Sequence, residues 1–145
     1  MNQLPNIAAM LRAQQVQALL LTNDAPERIQ YATGFGGLEG MVLITAAGKG
    51  FVLTDSRYIE AARARLTPLG FAVSVPPQGG PSAPALRALL EGEQITRLAF
   101  LAQCMSVQTH QRLTAALPDC TLEPLGEGLT RLRQIKDQDE IACLR

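Results

Sequence analysis

"MVLITAAGKGFVLT", residues 41–54, decides how the rest of the chain is read. Two β-rich runs, "MVLIT" (41–45) and "GFVLT" (50–54), flank the connector "AAGKG". A connector this short, with Gly48 to supply a positive φ, predicts a β-hairpin and an antiparallel pair. On either side of it, helical and strand patterns alternate. Alternation alone gives a parallel sheet; the inserted hairpin makes the sheet mixed.

Upstream, "PNIAAMLRAQQVQ" (5–17) sets Ile7, Met10, Leu11 and Gln14 on one helical face, with Pro5 in the first turn. "ALLLT" (18–22) reads as a buried strand. Asp24 stands three residues before Glu27, the capping-box spacing, so "APERIQYAT" (25–33) reads as a helix. "GFGGLEG" (34–40) follows as a loop, with Gly34 as the helix C-cap. Downstream, "DSRYIEAARARL" (55–66) predicts a helix with Tyr58, Ala61, Ala62 and Leu66 inward. Then come a strand at 71–75, a loop at 76–84, a helix at 85–93, a strand at 97–102, a helix at 106–117 and a strand at 120–125. "GEGLTRLRQI" (126–135) reads as a short helix or turn in a linker-like region. The sum is a three-layer α/β domain: a mixed five- or six-stranded sheet flanked by helices.

Bulk composition narrows the function. The 145 residues suffice for one domain with a core, and 47% apolar residues argue against disorder. Thirteen basic residues balance thirteen acidic ones, which supplies no electrostatic case for nucleic acid or an anionic membrane. The longest apolar run, "LAFLA" (98–102), is far too short to span a bilayer, and "MNQLPNIAAM" has no signal-peptide pattern. Cys104, Cys120 and Cys143 form no close pairs, which fits neither a disulfide framework nor zinc and points to a reducing, cytoplasmic setting.

No stretch makes a self-contained active site. "GFGGLEG" lacks the strand–loop–helix order of a dinucleotide fingerprint, and "AAGKG" sits inside a hairpin without the Ser or Thr of a P-loop. His110, the sole histidine, reads as a packing or surface residue. Asp55 stands at a strand end, where α/β folds gather ligands, but an N-cap role accounts for it with less. The final "KDQDEIACLR" (136–145) opens a helix, with Asp137 and Glu140 at capping-box spacing and Ile141 and Leu144 starting an apolar stripe.

Three stretches in series, "RIQYATGFGG" (28–37), "FVLTDSRYIEAA" (51–62) and "LTRLRQIKDQDEIACLR" (129–145), resemble the N-terminal domain of the creatinase/prolidase/aminopeptidase P family. They carry Y-x-T-G-F, T-D-x-R-Y and R-x-x-K-x-x-x-E-I. The resemblance implies the creatinase N-terminal, ribonuclease H-like arrangement for residues 1–128. It makes 129–145 a linker and the start of the first helix of a catalytic domain of "pita-bread" fold. In the family that domain holds two divalent metals, manganese or cobalt, on two aspartates, a histidine and two glutamates; none of these ligands is assigned here. By the same implication this chain alone is non-catalytic, and its parent is an Xaa-Pro aminopeptidase or dipeptidase, cytoplasmic and homodimeric.

The resemblance also marks residues. Phe35, Gly36, Gly37, Leu38 and Glu39 match a substrate-access loop that reaches a partner subunit's active site. Phe35 is expected to be exposed, and Glu39 to face a substrate ammonium. Gly37 falls where creatinase-like members carry arginine, which argues against creatine; Leu38 falls where many peptidases carry serine. Asp55, Arg57 and Tyr58 match T-D-x-R-Y as a structural motif, with Arg57 pairing a carboxylate and Tyr58 packing inward. A peptide-binding module of an inactive family member and a free-standing α/β regulator are the alternative functions.

Overall fold

The computed structural model describes residues 3–76 and 83–125. Among the described residues, twelve short elements follow one another. Helix α1 (Leu4–Ala13) leads to strand β1 (Ala18–Leu21) and helix α2 (Pro26–Thr33). The hairpin is β2 (Met41–Thr45) and β3 (Gly50–Leu53). Helix α3 (Ile59–Leu66), a 3-10 turn (Thr67–Leu69) and β4 (Phe71–Ser74) come next. Helix α4 (Ala83–Gly92), β5 (Arg97–Phe100), α5 (Val107–Ala116) and β6 (Thr121–Pro124) complete the order.

The six strands form one sheet in the order β4-β3-β2-β1-β5-β6. β2 is antiparallel to β3, as the hairpin requires, and antiparallel to β1 as well. The pairs β3–β4, β1–β5 and β5–β6 are parallel. Gly48 closes the hairpin at φ 95, and its N–H donates to the Thr45 carbonyl at 3.0 Å.

Period-2 alternation along the central strands feeds two separate cores. Leu19, Leu21, Val42, Ile44 and Val52 face α1, α2 and α3, meeting Ile7, Leu11, Ile29, Ala62 and Leu66. Ala18, Leu20, Leu43 and Leu98 face α4 and α5, meeting Leu86, Leu90, Leu113 and Leu117. All four residues of β1 are buried, which explains why "ALLL" shows no polar alternation. Each fully buried leucine or isoleucine contributes about 1.5–3 kcal/mol.

The structure corrects four local expectations. Helix α1 stops at Ala13 rather than Gln17, because Gln15 turns left-handed at φ 59 while Val16 N–H donates back to the Leu11 carbonyl. Gln14, expected on the inner face, is therefore outside the helix and exposed. Helix α3 starts at Ile59 rather than Asp55, so Ala61 is exposed while Ala62 and Leu66 are buried. The Asp24–Glu27 spacing makes no capping box, since α2 has no side-chain cap. Residues 126–145, including the linker and the helix opening at 136–145, lie outside the described residues.

Candidate functional site

One end of the sheet gathers most of the marked residues. β1, β5 and β6 run parallel and finish there, β3 and β4 finish there too, and β2 begins there. Asn23 and Asp24, the 34–40 loop, the Thr54–Tyr58 turn, Ser106 and Leu125 all follow or precede those strand ends.

The 34–40 loop starts at the expected glycine cap. Gly34 sits at φ 75 and its N–H donates to the Gln30 carbonyl. Thr33 Oγ1 donates to the Ile29 carbonyl at 2.7 Å and accepts from Phe35 N–H at 3.1 Å. Phe35 is not an exposed aromatic: it is 8% accessible, belongs to the α1–α3 core, and has Arg65 stacked 5.0 Å over its ring. Leu38 is buried in the same core. The two apolar side chains plug the loop down, so Gly36, Gly37 and Glu39 make its outer surface.

The far end of the loop is tied to two strand ends. Asn23 Oδ1 accepts from Gly40 N–H at 2.8 Å, and Thr54 Oγ1 donates to the Glu39 carbonyl at 2.8 Å. Gly40 runs so close to β3 that a Cβ would lie 2.1 Å from the Leu53 carbonyl oxygen.

Asp55, Arg57 and Tyr58 stand beside that end. Arg57 Nε and Nη2 fork onto the two Asp55 oxygens at 3.2 and 2.8 Å, and Nη2 also reaches Glu39 Oε2 at 2.8 Å. The guanidinium lies 5.1 Å over the Tyr58 ring, and Tyr58 packs half-buried against the core. Asp55 also accepts the Arg57 N–H at 2.9 Å, so it builds an Asx turn two residues on and is not the N-cap of α3. The Arg57 side-chain bonds, then its N–H, hold the Asp55 carboxyl below its ordinary 3.8, and Asp55 and Glu39 hold the Arg57 guanidinium charged. Glu39 thus already has a cationic partner.

The cleft between the ends of β1 and β5 is a topological switch point: α2 leaves toward one face and α5 toward the other. Such clefts bind ligands in open α/β sheets. Here the two segments that follow the strands are bonded to each other. Asp24 Oδ2 accepts from Ser106 N–H at 3.0 Å, while the Ser106 side chain caps α5 by accepting from Thr109 N–H. That backbone N–H lowers the Asp24 carboxyl below its ordinary 3.8.

Sequence reading missed Asn23, Thr54, Arg65 and the Asp24–Ser106 bond. Only Asp24 carried a signal, and its spacing to Glu27 pointed to a cap of its own helix. His110 packs on Phe100, ring centroids 5.0 Å apart. Among the described residues, no three His, Cys, Asp or Glu side chains are placed to hold a metal ion, and no helix is long and apolar enough to cross a membrane. Cys104 and Cys120 are free thiols; Cys143 lies outside the described residues.

Fold and site together define an α/β domain that presents a pinned surface loop and an arginine clip. Residues 3–135 match the sequence model of the Creatinase/Prolidase N-terminal domain. The chain belongs to that family. It is 30% identical over 129 residues to the uncharacterized peptidase YqhT of Bacillus subtilis, an alignment covering 89% of this chain and 35% of that protein. The chain thus spans about a third of the curated relative it matches. An Xaa-Pro aminopeptidase structure from Streptococcus pyogenes superposes with a TM-score of 0.76 at 30% identity, covering 90% of this chain and 94% of that one. One from Streptococcus thermophilus, described as aminopeptidase P, gives 0.77 at 27%, covering 90% and 95%.

Proposed function

We propose that this chain is the non-catalytic N-terminal domain of an Xaa-Pro metallopeptidase, aminopeptidase or dipeptidase, that works in the cytoplasm as a homodimer. The observation that carries the reading is the family match over residues 3–135 together with 35% coverage of a bacterial peptidase. By that family reading, the two divalent metals, manganese or cobalt, would be held by a following catalytic domain.

In this reading the domain shapes access to the substrate. Its outward loop residues Gly36, Gly37 and Glu39 stand at the sheet end where β6 finishes at Pro124. Phe35 and Leu38 serve it from below, as the plugs that hold the loop on the core. Glu39 presents its carboxylate through Arg57, and a substrate ammonium would share it with that guanidinium.

The test is hydrolysis of an Xaa-Pro peptide by the 145-residue chain and by its parent, each with added manganese. The expected result is no turnover by the chain, and turnover by the parent that chelation abolishes. Chelator-sensitive turnover by the chain itself overturns the reading, as does a parent that is inert with every divalent metal.

A further inference from the structure

Backbone anchors, apolar plugs and the Arg65 side chain hold the 34–40 loop, and none of them touches the Glu39 carboxylate. The backbone anchors are Thr33 at one end and Asn23 with Thr54 at the other. The apolar plugs are Phe35 and Leu38. Between the plugs, a Cβ on Gly37 would touch nothing within 4 Å, and one on Gly36 would only brush the Gln30 side chain at 3.4 Å. The tip is therefore unpacked.

What remains is Arg57. Most exposed arginines pay a large side-chain entropy to hold one geometry. This one is aimed beforehand by the Asp55 fork and the Tyr58 ring, so less freedom is lost when it meets Glu39. No other ion pair among the described residues joins the loop to the rest of the domain.

We propose that Arg57 is a positioning residue: seated on Asp55 and Tyr58, it clips the Glu39 carboxylate and thereby sets where that carboxylate stands beside Gly36 and Gly37 at the sheet end. The clip's consequence for turnover rests on the substrate-access reading above; its mechanics do not. Both partners are exposed, Arg57 at 64% and Glu39 at 55% of the side chain, so the clip is weakened by salt and opens without unfolding the domain. Opening is confined to the Glu39 side chain, because the Thr54 bond to the Glu39 carbonyl and the Leu38 plug do not involve Arg57.

The experiment is side-chain NMR on the chain, reading how strongly Glu39 holds one rotamer, comparing wild type with Arg57→Gln, Asp55→Asn, the double variant and Arg57→Lys. The expected result is a closed-to-open rotamer ratio for Glu39 that falls by roughly 1.5- to 5-fold in Arg57→Gln, the range of an exposed pair. The double variant should be no more mobile than Arg57→Gln, Arg57→Lys should recover part of the order, and about 0.5 M salt should shrink the difference. Amide protection across β2 and β3 should not change. Additive effects, or a Glu39 rotamer ratio that ignores Arg57→Gln, overturn the clip. In the parent, Arg57→Gln should raise KM with kcat retained. A freed Glu39 with unaltered KM leaves the clip standing and removes the substrate-access reading instead.

Discussion

Replacing Gly40 by alanine tests the packing at the sheet end most sharply. The added Cβ would lie 2.1 Å from the Leu53 carbonyl oxygen and 3.1 Å from its carbon, both backbone atoms that no rotamer can withdraw. Relief requires moving β3 or the loop by more than 1 Å relative to ordinary contact, an overpacking cost of about 1–3 kcal/mol. The same movement loosens two hydrogen bonds, Asn23 to Gly40 N–H and Thr54 to the Glu39 carbonyl, each 2.8 Å long and worth about 1 kcal/mol. The sum is about 3–5 kcal/mol. For a domain of this size a kcal/mol shifts Tm by roughly 3 °C, so the expected fall is about 10 °C or more. Differential scanning calorimetry measures it, with Gly36→Ala as control: its Cβ would sit 3.4 Å from a flexible Gln30 side chain and should cost little. A Gly40→Ala protein that melts within about 2 °C of wild type would refute the close approach.

Phe35→Ala should destabilise the domain by about 3 kcal/mol, near the low end for a buried phenylalanine because Arg65 can settle over the gap; urea unfolding checks this, and an unchanged midpoint would return Phe35 to the surface. Asp24→Asn should remove a pH-dependent contribution of roughly half a kcal/mol once solvent screening is allowed for. The folded carboxyl is depressed, so the wild-type advantage should be full above the ordinary value of 3.8 and vanish as pH falls through the lower folded value. An advantage that grows on acidification would contradict the Ser106 bond.

Local signals carried far in this chain. The hairpin at 41–54, the Gly34 cap and the order of alternating elements were legible because each depends on a few neighbouring residues. The Y-x-T-G-F and T-D-x-R-Y patterns led to the family that the match over residues 3–135 establishes. Where reading failed, a neighbour in sequence lost to a neighbour in space. Asp24 had the spacing to cap its own helix, yet its carboxylate serves Ser106, 82 residues away. Gln15 took a left-handed turn usually given to glycine.

The loop divides the two kinds of information most clearly. Its composition alone announced glycine freedom, one aromatic and one carboxylate. Only the folded chain brought Arg57 within 2.8 Å of Glu39 and turned Phe35 inward under Arg65. Periodicity and propensity act over a turn or a strand pair, so sequence determines the elements and their faces. Strand order, the plugs and the charge partners are chosen when distant segments compete for the same apolar surface and the same counter-ions, and that competition is resolved only in the tertiary structure.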